Sequence, residues 1–133
     1  MFEAHIYIST DSSSSKITEK HYEYVLECCL MSGKTARREG KGKTKGTYHQ
    51  ATLTAMTEAL KRFNQSCEIY IHMQDGFVLN MMGHNLDRWA GNGFLTSRGE
   101  PVANQKEWMK LWTVSRGQLI HLKHETDRRR VNE

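Results

Sequence analysis

Short stretches of alternating apolar and polar residues open the chain. Residues 5–10 (HIYIST) set Ile6 and Ile8 on one side, which predicts a strand. The run at 11–15 (DSSSS) ends it, because short polar side chains compete for backbone hydrogen bonds and favour turns. Residues 22–31 (YEYVLECCLM) predict a second strand, Ser32-Gly33 a turn, and residues 34–44 a third, strongly basic strand. Together these make an antiparallel meander. From Thr47 the period changes: Ala51, Ala55 and Ala59, with Leu53, Met56, Leu60 and Phe63, recur at three and four residues and predict an amphipathic helix over 50–63. Residues 66–73 (SCEIYIHM) again read as a strand. Residues 76–82 and 86–90 read as two short helical pieces broken by Gly83, Gly91 and Gly93. Asn104 is expected to cap a helix over 105–115, with Trp108, Leu111 and Trp112 at core spacing and Gly117 after its end. Residues 118–123 (QLIHLK) form the last strand.

A hairpin meander leading into a strand–helix–strand crossover implies a mixed sheet with helices on its faces. The 133 residues suit one domain with one core, and no repeat or low-complexity linker divides them. With 38% apolar and 26% charged residues, the chain has the balance of an ordinary globular protein rather than a disordered one. No apolar run approaches the roughly 18 residues of a membrane span, so no membrane partner is expected. The first residues, MFEAHIYIST, lack the basic lead and apolar stretch of a secretory signal; a cytoplasmic location is expected.

Charge sharpens the picture only locally. The net charge of +4 permits contact with a polyanion without demanding it. The basic residues cluster, however, at Lys34, Arg37, Arg38, Lys41, Lys43 and Lys45, and again at Arg128, Arg129 and Arg130. Such runs are either solvated faces or binding surfaces. Cys28, Cys29 and Cys67 form no Cys-x-x-Cys pair, and the seven histidines have no i, i+4 spacing, so neither a redox motif nor a zinc motif is supported.

Four segments carry a resemblance. IYISTDSS (6–13) is similar to a first strand ending in Thr-Asp-Gly-Ser. HQATLTAMTEAL (49–60) resembles a helix of pattern Asn-x-x-Glu-Leu-x-Ala. CEIYIHMQDGFV (67–78) resembles a fourth strand running into Thr-Asp-Ser-x-Tyr-Val. RWAGNGF…GEPVANQKEWMKLW (88–112) resembles a basic protrusion and the helix after it. On these motifs, which span nearly the whole chain, the sequence resembles the ribonuclease H-like superfamily, as a degenerate ribonuclease HI. The resemblance implies an α/β fold: a ribonuclease H-like mixed five-stranded sheet with helices on both faces.

It also implies a chemistry that can be tested residue by residue. The family hydrolyses a phosphodiester with two divalent ions held by carboxylates, because magnesium wants oxygen ligands and paired ions need several negative charges. Asp11 matches the first acidic position; read locally, it is an Asx turn at a strand end. Thr52 and Gln74 fall where the second and third acids belong. The fourth, on a C-terminal helix, should follow an Asn-Glu pair; the sequence ends at Asn132-Glu133, so that acid is expected to be missing. Asp75, Glu125 and Asp127 are the candidates for rebuilding a site with Asp11, and His124 matches a loop histidine. The expectation is a noncatalytic domain that needs no cofactor, with magnesium or manganese required if it is active.

A binding surface outlives lost metal ligands. By the resemblance, Thr47 matches a phosphate-pocket threonine, Arg88 replaces an asparagine there, and Trp89 and Phe94 match aromatic positions of the protrusion. His49 and Gln50 replace an asparagine and an arginine, and Gly76 a base-contacting glutamine. With Arg37 and Lys41 on the basic strand, these residues are expected to bind an RNA–DNA hybrid or structured, double-stranded RNA. Two alternatives stand beside this: an active ribonuclease H with relocated ligands, and a protein-interaction module, such as an inhibitor of a nucleic-acid-handling protein on a mobile element.

Overall fold

A computed structural model describes residues 2–30 and 32–125. Five strands and three helices follow one another: β1 (Phe2–Thr10), β2 (Thr18–Cys29), β3 (Thr35–Gly46), α1 (Tyr48–Leu60), β4 (Cys67–Met73), α2 (Gly76–Asn92), α3 (Gln105–Ser115) and β5 (Leu119–His124). The sheet order is β3-β2-β1-β4-β5. The β3/β2 and β2/β1 pairs are antiparallel, while β1/β4 and β4/β5 are parallel. The mixed five-stranded α/β arrangement expected from the sequence is the one that forms.

Register divides the sheet into two faces. Ile6 pairs with Leu26 on one side and Ile71 on the other, and Ile71 with Leu122, so all four point the same way. This face is buried beneath α1, where Leu53, Met56 and Leu60 are inaccessible, and beneath Trp108 and Leu111 of α3. The three helices touch one another, and all stand on this face. A helix on the second face, the other half of the expected arrangement, is not found among the described residues. That face carries His5, Tyr7, Tyr70, His72 and His121, stacked ring against ring.

The edge strand β3 shows why its sequence alternates glycine with lysine. A Cβ at Gly40 would lie 2.1 Å from Cζ of Tyr24, and one at Gly42 would lie 2.4 Å from the hydroxyl of Tyr22. The glycines leave room for two tyrosine rings on the helix side, while Lys41, Lys43 and Lys45 alternate to the other. Beside them, Lys20 is fully buried, its ammonium donating to the carbonyls of Lys16 (2.9 Å) and Gly46 (2.8 Å) and to the Thr18 hydroxyl (2.6 Å).

Three local expectations are corrected. The two helical pieces at 76–82 and 86–90 are one helix of 17 residues, α2. Glycine costs a helix interior only about 1 kcal/mol, and burial of Val78 and Leu86 holds α2 through Gly83 and Gly91. It stops at Gly93, which adopts a left-handed φ of 81°. Asn104 does precede α3, but at φ 61° its side chain makes no capping bond. Asparagine tolerates this left-handed backbone, whereas a capping residue takes an extended one. The predicted α1 also starts earlier than its apolar period suggests, because Thr47 and Gln50 form a reciprocal capping box.

Candidate nucleic-acid interface

The carboxyl ends of β1 and β4 meet the amino ends of α1 and α2. Ser9, Thr10, Tyr48, Thr52, Gln74 and Asp75 line a small cleft there. Thr52 is 2% exposed, and its hydroxyl donates to the Tyr48 carbonyl one turn back (3.1 Å). Burial, and after it the charge of Asp75, push the Tyr48 hydroxyl up to about 12. Gln74 is exposed, and its carbonyl accepts from Nε2 of His124 (3.1 Å).

Asp75 caps α2. Its Oδ1 accepts from the Val78 amide (3.1 Å), and its Oδ2 accepts from Nδ1 of His49 (2.7 Å), leaving the carboxylate 2% exposed. His49 in turn stacks on Phe77 with ring centres 4.6 Å apart, and Phe77 is 51% exposed. The sequence offered His49 and Asp75 separately, and neither their pairing nor the stacking on Phe77 was expected. The signal for the Asp75 cap was present: an Asp-Gly before an apolar helical run is an N-cap pattern.

The other described acidic candidates do not line this cleft. Asp11 is exposed just beyond β1; its Oδ1 accepts from the His21 amide (3.0 Å), and its own amide donates to the His21 carbonyl (3.0 Å). Glu125 accepts from Nδ1 of His72 (2.8 Å) on the second face of the sheet. Among the described residues no three His, Cys, Asp or Glu side chains converge on a point that could hold a metal. Asp127, Arg128, Arg129 and Arg130 lie outside the described residues. A pair of magnesium ions does not fit this donor set: a threonine hydroxyl already donating, a neutral amide, and a carboxylate with both oxygens engaged.

The expected binding residues fall into two groups. Thr47 accepts from the Gln50 amide (3.2 Å), and the Gln50 side chain accepts from the Thr47 amide (2.9 Å), so Gln50 is engaged in the cap. Arg88 is exposed and donates to Asn85, while Trp89 meets Trp108 edge to face at 5.4 Å. Phe77, Met81, Arg88, Trp89, Leu95 and Trp108 surround an open cleft of about 480 Å³ beside α2. Phe94 is 6% exposed and belongs to the core beneath this cleft. Arg37 and Lys41 project from the second face, where Arg37 pairs with Glu39 (2.8 Å) and Lys41 lies opposite Glu23. The structure therefore joins Thr47, His49 and Gln50 at the α1 start but sets Arg37 and Lys41 across the sheet from Trp89. Gly76 sits at the first turn of α2, where an added Cβ would lie 3.4 Å from the His124 ring.

No family model matches the chain. It is 32% identical over 95 residues to a ribonuclease H of Campylobacter curvus, an alignment covering 71% of this chain and 61% of that protein. Among solved structures, it is similar to LC9-RNase H1, a type 1 RNase H with the type 2 active-site motif, at TM-score 0.77 and 12% identity, over 95% of this chain and 64% of that one. It is also similar to a foamy viral protease-reverse transcriptase in complex with an RNA/DNA hybrid, at TM-score 0.65 and 15% identity, over 98% of this chain and 18% of that one. The chain thus spans about three fifths of the length of the curated relative.

Proposed function

We propose that this chain, which has the ribonuclease H-like fold, binds RNA–DNA hybrid or double-stranded RNA and does not carry out the two-metal hydrolysis associated with that fold. The observation that carries the reading is the cleft at the ends of β1 and β4. Thr52 and Gln74 stand where the resemblance puts acids, and Asp75 has committed both oxygens to Val78 and His49. Two doubly charged ions side by side need several carboxylates to offset their repulsion.

Binding makes no such demand. A helix amino terminus capped by Thr47 offers a phosphate oriented N–H groups and a favourable dipole. Arg88 adds an exposed charge, and the exposed Phe77 and partly exposed Trp89 offer apolar surface to sugars and bases. Recognition of this kind reads helical shape and 2′-hydroxyls rather than sequence.

The test is fluorescence anisotropy with labelled hybrid, RNA duplex and DNA duplex across a salt series. Affinity for the two RNA-containing duplexes should fall linearly on logarithmic axes as counterions are released. Negligible affinity even at low salt would favour the protein-interaction reading instead. In parallel, hybrid is incubated with magnesium or manganese; cleavage by the wild type that Asp11→Asn abolishes would overturn the noncatalytic part.

A further inference from the structure

We infer that His49, oriented by Asp75, is a general base that cleaves unpaired RNA without metal, by transfer of the phosphate to the neighbouring 2′-oxygen. The inference goes beyond duplex binding and rests on that reading only in bringing RNA to the start of α1.

Capping α2 needs one carboxylate oxygen, and Oδ1 of Asp75 supplies it to Val78. The second oxygen receives Nδ1 of His49 at 2.7 Å. A carboxylate accepts and cannot donate, so the His49 proton on this side sits on Nδ1, and in the neutral ring Nε2 is the acceptor. Phe77 fixes the ring by stacking at an interplanar angle of 29°. The His49 side chain is 34% exposed while Asp75 is 2% exposed. Elsewhere the pattern differs: in His121–Glu68 both partners are about equally open, and in His72–Glu125 both are largely covered. A buried acid holding a half-exposed imidazole in one tautomer is what a positioned base requires.

The step balances without a co-reactant. Nε2 of His49 takes the proton of a ribose 2′-hydroxyl, and the 2′-oxygen forms a bond to the adjacent phosphorus. The bond from phosphorus to the 5′-oxygen breaks, that oxygen takes a proton from water, and the imidazolium returns its proton to solvent. The products are a 2′,3′-cyclic phosphate and a free 5′-hydroxyl. In-line approach of the 2′-oxygen needs a flexible strand, so unpaired RNA is the substrate and DNA is inert. The adjoining amino ends of α1 and α2 favour the negative charge that builds on phosphorus oxygens. Asp75 touches His49 and not the substrate, and is a positioning residue.

The experiment uses the full chain in excess EDTA with two probes: a labelled single-stranded oligoribonucleotide, and millimolar uridylyl-adenosine, which loads the site whatever the affinity for long strands. Cyclic-phosphate product should form from both, be absent when the 2′-hydroxyl is replaced by hydrogen, and increase with pH through the imidazole range. His49→Gln should lower the rate by about a hundredfold or more. Asp75→Asn keeps a capping oxygen but turns an NH₂ toward Nδ1, imposing the wrong tautomer; it should lower the rate comparably and displace the pH profile. Wild type giving no cyclic product, or folded His49→Gln matching wild type, overturns the proposal; the second result decides even if Asp75→Asn fails to fold. Binding of labelled hybrid and RNA duplex by the same protein preparations is followed by anisotropy. Turnover of the dinucleotide without duplex binding sinks the binding reading alone, and duplex binding without cyclic product sinks this one alone.

Discussion

His5 and His72 face each other across the β1/β4 pairing, Nδ1 to Nε2 at 2.9 Å, on the sheet face that carries no described helix. Glu3 lies 3.2 Å beyond the outer nitrogen of His5, and Glu125 2.8 Å beyond that of His72. Burial pushes the His72 pKa below its ordinary value, His5 and Lys123 act in the same sense, and the bond to Glu125 opposes them. A depressed histidine pKa means the unfolded chain binds the proton first. Stability is therefore full above the ordinary value near 6.5 and is lost as pH falls toward the folded value. The melting temperature should drop by several degrees from about pH 7 to about pH 5, and less in His72→Gln.

Glycines in β3 and α2 should respond oppositely to alanine. At Gly40 the new Cβ would overlap the Tyr24 ring, whose hydroxyl also accepts from Arg62 (3.2 Å). Gly40→Ala should cost about 1–3 kcal/mol in urea unfolding. At Gly91, an exposed helical position, nothing lies within 4 Å of the added carbon, and Gly91→Ala should gain about 0.5–1 kcal/mol.

Lys20 should be costly to shorten. Lys20→Ala leaves two carbonyls and a hydroxyl without their buried donor, with a loss of at least about 2 kcal/mol by chemical denaturation. The neighbouring Lys16, which is exposed, should tolerate alanine within about 0.5 kcal/mol.

If phosphates reach β3, Lys41→Gln should reduce the slope of log affinity against log salt by about 1. Lys61→Gln, at the far end of α1 beside Glu58, should leave it unchanged. Equal slopes for wild type and Lys41→Gln would confine the interface to the helix side.

The sequence made some features plain and concealed others for physical reasons. Ile6 and Ile8, or Ile69 and Ile71, announce strands because alternation is a local property. The helix expected over 50–63 was equally clear from its period, although α1 runs Tyr48–Leu60. The unbroken α2 was not, since Gly83 and Gly91 weaken a helix locally while contacts of Val78 and Leu86 with distant segments restore it. The partner of Asp75 lies 26 residues away in His49, beyond any local window. Lys20 resembles a surface residue until the chain brings Gly46 beside it.

The margin formed by β3 has one more effect. A long unpaired strand invites another copy to add itself by backbone pairing. Here, three lysines would have to approach three lysines, and the glycines between them supply no apolar grip. Concentrated protein should consequently stay dispersed, with growth of fibrils or sheet-to-sheet stacks discouraged along that border.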